Sequence, residues 1–116
     1  MPKPPKHALY LDDMRQAAAD IAEYVEGYDY ARFKADKKTV DAVLRKFEVV
    51  GEASSRIPPE VQVLAPDIDW RGIKSFRNLV AHFYRGVDLE MVWKLIHGPL
   101  QDLPQALARL KAAIPR

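Results

Sequence analysis

Arg77, His82 and Tyr84, in the string Arg77-Asn78-Leu-Val-Ala-His82-Phe-Tyr84, carry the chain's clearest capacity for chemistry. Histidine exchanges a proton near neutral pH. A guanidinium can hold the added negative charge of a pentavalent phosphorus through two parallel hydrogen bonds. Such a pair could cleave RNA without a metal. The surrounding charge favours the same polyanion: between Asp69 and Asp88 there is no acidic residue, while Arg71, Lys74, Arg77 and Arg85 contribute four positive charges. The whole chain, with 18 Lys and Arg against 16 Asp and Glu, has a formal net charge of only +2, so everything outside that window carries −2. Segregated charge gives a nearly neutral molecule a local positive potential that attracts phosphate. Each residue also has an ordinary reading: the cations as a solvated helix face, His82 as a hydrogen-bonded boundary histidine, Tyr84 as an edge aromatic.

These side chains must be positioned by a helix. Ile73, Phe76, Leu79, Val80 and Phe83 mark a core-facing stripe, which predicts a third helix capped by Asp67 or Asp69 and running to near Gly86. On an ideal helix Arg77 and Tyr84 share a face, whereas His82 lies about 140° round from Arg77. A common face therefore requires the helix to end or distort between them, or a two-fold dimer in which two copies build one cleft.

The rest of the chain supplies a scaffold of the same kind. Leu11, Met14, Ala18, Ile21 and Val25 recur at helical spacing and predict a first helix over 8–26, ended by Gly27. Tyr28–Phe33 reads as a short helical turn. Val40, Val43, Leu44, Phe47 and Val50 predict a second long helix, capped by Asp36 and reaching about Ser55, with Gly51 as a helix-crossing point. Residues 56–69 hold Pro58, Pro59 and Pro66 and form a connection with one helical turn near Glu60–Leu64. From Asp88 a fourth run extends through Leu89, Val92, Trp93, Ile96, Leu100, Leu103, Leu107, Leu110 and Ile114, interrupted at Gly98-Pro99. The expected fold class is all-α: a four- to five-helix up-and-down bundle with a kinked C-terminal helix.

Composition narrows the function classes. A length of 116 residues suits one domain, expected over 8–116 behind a flexible tail at 1–7. The absence of cysteine excludes disulfides, thiolate metal sites and a cysteine nucleophile. No apolar run approaches a bilayer span and the N-terminus lacks a signal-peptide pattern, so the expectation is a cytoplasmic protein that uses no membrane. With no carboxylate in the basic window, no metal or other cofactor is expected.

The string Arg77-x4-His82-x-Tyr84 resembles the R-x4-H-x-Y motif of the HepT-like proteins, a branch of the HEPN superfamily of small helical ribonucleases. Asp41-Ala-Val-Leu-Arg-Lys-Phe-Glu-Val-Val-Gly-Glu-Ala53, Pro66-x3-Trp70-Arg71 and Gly86-Val-Asp-Leu-Glu-x-Val-Trp93 resemble HepT segments in the same order, over about residues 8–112. The resemblance implies a HEPN-like fold and a homodimeric toxin of a type II toxin–antitoxin pair that cleaves RNA without a metal. It implies Arg77 and His82 as the catalytic pair, Asn78 as a polar helper, and Tyr84 as the site of AMPylation by an MntA-like nucleotidyltransferase antitoxin that consumes ATP. Glu52 matches the family's glycine-glutamate-alanine segment, where a carboxylate could orient Arg77 or His82. Lys74, Arg71 and Arg85 would steer RNA. The alternative from another class is a non-catalytic helical partner or regulator that only binds a nucleotidyltransferase.

Overall fold

The computed structural model describes residues 6–79 and 88–114. The described residues form seven α-helices and one 3₁₀ segment, with no strand among them. α1 spans Lys6–Tyr24, α2 Tyr30–Ala35, α3 Lys37–Ser54, α4 Pro59–Gln62, α5 Trp70–Lys74, α6 Leu89–His97 and α7 Leu103–Ala113, and the 3₁₀ segment covers Ser75–Asn78. The all-α expectation holds. No described helix is long and apolar enough to cross a membrane.

α1 begins at Lys6, inside the expected tail, and buries the predicted stripe of Leu11, Met14, Ala18 and Ile21. The chain leaves it through Gly27, whose φ of +78° is the left-handed conformation that glycine adopts without steric cost. Asp36 then serves two helices. Its N–H donates to the Phe33 carbonyl at the end of α2, and its carboxylate accepts from the Thr39 amide at the start of α3. The Tyr28 and Thr39 hydroxyls each donate to the same carboxylate at 2.7 Å. These hydrogen bonds, Tyr28 first, hold the Asp36 carboxyl below the usual aspartate range.

α3 is the central element. It packs against α1 on one side and against α5 and the 3₁₀ segment on another, while α1 also carries α7. Phe47, Val43 and Val50 on α3 are fully enclosed. Side chains of this size each contribute roughly 1.5–3 kcal/mol when removed from water. A second aromatic group ties α2 to α6: the Phe33 and Trp93 rings lie 5.2 Å apart, with Tyr30 and His97 on the flanks of the indole.

The run interrupted at Gly98-Pro99 resolves into two helices, α6 and α7. Asp88 caps the first by accepting from the Glu90 amide at 2.9 Å. Pro104 stands in the first turn of the second, where a missing N–H removes no helical bond.

The third expected helix needs correction. It is not one α-helix from Asp69 to near Gly86: α winding stops at Lys74 and 3₁₀ winding takes over. The Ser75 hydroxyl donates at 2.5 Å to the Gly72 carbonyl, the acceptor that α winding would offer to the Phe76 amide.

Candidate active site

The approach to the site is pinned before the first cation. Asp69 caps α5 by accepting from the Gly72 amide at 3.0 Å, and the Trp70 indole N–H donates to the Ala65 carbonyl at 3.1 Å. Of the two caps the sequence offered, Asp69 is the one used. α5 and the 3₁₀ segment then sort side chains with a period of three. Ile73, Phe76 and Leu79 are buried, while Arg71, Lys74 and Arg77 are exposed, with Asn78 beside them. In 3₁₀ winding, residues three apart eclipse one another, so Arg77 is offset less from Lys74 round the axis than continued α winding would leave it.

Among the described residues none of these cations has a carboxylate partner. The ion pairs join Asp12 to Arg15 and Lys111, Lys37 to Asp41, Arg45 to Glu48 and Lys46 to Asp20, all away from this strip. The described cations of the positive window, Arg71, Lys74 and Arg77, are thus an exposed row.

α3 forms the floor beneath Arg77. Phe47 and Phe76 meet edge to face at 5.0 Å, and one turn further along α3 Gly51 lies against the backbone of Arg77. A Cβ placed on Gly51 would fall 2.4 Å from the Arg77 nitrogen and 3.1 Å from its Cα. Only glycine permits this approach. The crossing point expected at Gly51 therefore exists, and the element that crosses there is the one carrying Arg77. Glu52 is the next residue of α3 and is exposed; among the described residues its carboxylate makes no hydrogen bond or ion pair.

His82, Tyr84 and Arg85 lie outside the described residues. The structure leaves Arg71, Lys74, Arg77 and Asn78 exposed along α5 and the 3₁₀ segment, and Glu52 exposed on α3 next to Gly51 in the chain. The sequence reading missed the change of winding. The signal was present as two interleaved triplets, 71-74-77 and 73-76-79, each at a strict spacing of three.

A cleft of about 760 Å³ borders the same segment on its apolar side. Phe76, Leu79, Met91, Leu95 and Leu103 line it, and among the described residues Asp67, Asp69 and Asp102 add negative charge against one cation, Arg109. Its mainly apolar and acidic lining contrasts with the exposed cations on the other side of the segment.

The model of the Ribonuclease HepT-like family matches residues 14–110, a span that includes the strip and its floor. The chain belongs to the HepT-like family. A Thermococcus cleftensis protein named "Probable ribonuclease HepT" is 35% identical over 105 residues, covering 90% of this chain and 96% of that one. Two Methanocaldococcus jannaschii proteins whose names describe them as candidate RNases are 31% and 32% identical over 96 residues each. Those matches cover 83% of this chain and 85% and 78% of theirs. No solved structure matches significantly. Within this HepT-like chain, Gly51 and Arg77 both fall inside the family match.

Proposed function

We propose that this HepT-like protein is a metal-independent RNA endonuclease and the toxin of a type II toxin–antitoxin pair. The observation that carries the reading is the exposed row Arg71, Lys74 and Arg77, free of carboxylate partners among the described residues and leading directly into Arg77-x4-His82-x-Tyr84. In this reading His82 takes the proton of a ribose 2′-hydroxyl, and the resulting oxygen attacks the adjacent phosphorus. The bond to the 5′-oxygen breaks, that oxygen receives a proton from the imidazolium of His82, and a 2′,3′-cyclic phosphate remains. Arg77 holds the charge that builds on the phosphoryl oxygens, with Asn78 as a polar contact. Lys74, Arg71 and Arg85 draw the RNA backbone in, and Glu52 orients Arg77 or His82. The chain needs no metal or cofactor of its own.

The protein works as a homodimer in which two copies of the motif line one cleft. An MntA-like nucleotidyltransferase antitoxin neutralises it by transferring AMP from ATP to the Tyr84 hydroxyl, releasing pyrophosphate. Phosphate fixed there would occupy the place of the RNA phosphate and repel it, which accounts for the silencing. The setting is cytoplasmic.

Cleavage of RNA by the purified protein in excess EDTA tests the reaction. Arg77→Ala and His82→Ala should each lower cleavage by about 10²–10³-fold, leaving a residual rate, while keeping the helical circular-dichroism spectrum, and full activity in both would refute these roles. Mass spectrometry of Tyr84 after co-expression with the nucleotidyltransferase should show added AMP.

A further inference from the structure

We infer that Gly51 is a positioning residue for Arg77, an assignment that rests on the reading of Arg77 as the group that meets the scissile phosphate. Exposed arginine side chains sample many rotamers, so their usefulness in a transition state depends on how firmly their backbone is held. Here the holding is done from below by α3 at two points one helical turn apart. The Phe47 ring packs edge to face on Phe76, and the bare Cα of Gly51 takes the backbone of Arg77 itself. The Gly51 carbonyl is engaged as well, accepting from the buried Ser54 hydroxyl at 2.8 Å. α3 is therefore fixed where it meets Arg77.

The 3₁₀ winding belongs to the same device. Among the described elements the 3₁₀ segment packs on α3 and on α5, from which it continues, so α3 supplies its lateral support. A side chain at position 51 would push on the Arg77 amide nitrogen, the atom through which the segment's ladder passes. Gly51 touches no substrate. It sets where the Arg77 fork begins, and so how well both of its hydrogen bonds reach a phosphoryl group in the transition state.

The test is a double-mutant cycle on the kcat and KM of RNA cleavage with wild type, Gly51→Ala, Arg77→Ala and the double variant. Gly51→Ala is expected to lower kcat at least tenfold with KM within twofold, and to cost nothing further once Arg77 is already alanine. An equal fold-loss in both backgrounds would mean that Gly51 serves only the helix packing, and overturns the inference while the role of Arg77 stands. If Gly51→Ala fails to fold, Phe47→Leu loosens the other point of the same support. It should lower kcat several-fold with Arg77 present and leave the Arg77→Ala background unchanged; equal losses again overturn the inference. Wild-type activity in Arg77→Ala removes the catalytic reading itself, and the assignment of Gly51 falls with it.

Discussion

Gly51 and Arg77 meet backbone to backbone: a methyl group on the first would stand 2.4 Å from the nitrogen of the second. Replacing a mid-helix glycine by alanine ordinarily gains up to about 1 kcal/mol through helix propensity. At position 51 the sign should reverse. Overpacking a close contact typically costs about 1–3 kcal/mol, and the neighbour here is main chain that cannot rotate away. Urea unfolding of Gly51→Ala should show a lower midpoint than wild type, and a higher one would contradict the contact.

The row of cations predicts a particular salt response. Each phosphate contact on a single strand contributes about −0.7 to the slope of log affinity against log salt concentration. Lys74→Gln should make that slope shallower by about 0.7 per binding site, measured by RNA binding across a salt series. Lys34→Gln, at an exposed lysine of α2, should leave the slope unchanged.

Acid stability should depend on Asp36. Its carboxyl titrates below the ordinary aspartate value because the Tyr28 and Thr39 hydroxyls stabilise the charged form. The resulting stabilisation is complete above the unfolded value of about 3.9 and is lost as pH falls through the lower, folded one. Tyr28→Phe removes the first donor, so the variant should be less stable than wild type at pH 7 and lose less on acidification to pH 2.5. Thermal melts across that range measure both.

Phe33 is completely buried and joins α2 to α6 through Trp93. Phe33→Ala should cost about 3–5 kcal/mol. The change in environment should show directly in tryptophan fluorescence, since Trp93 stacks on the lost ring while Trp70 lies at the start of α5.

The scaffold was legible because its signals are local and repeated. The stripes of α1 and α3, the caps at Asp36, Asp69 and Asp88, the left-handed Gly27 and the break at Gly98-Pro99 each follow from a few neighbouring residues. Gly51 announced a close approach by being a glycine where alanine would serve a helix better. Its partner was not readable, because which backbone comes near is a matter of tertiary packing. The change to 3₁₀ winding was hidden for a related reason: Ile73, Phe76 and Leu79 satisfy a helical stripe as well as they satisfy a period of three. His82, Tyr84 and Arg85 stand on their motif and on the charge around it.

Among the described elements the 3₁₀ part of the basic strip rests on α3, while α1 and α7 pack against each other in the frame. Mechanically this sets the strip out as a cantilever on α3: Phe47 and Gly51 touch the segment of Arg77 directly, whereas the Asp12–Lys111 bridge ties together α1 and α7.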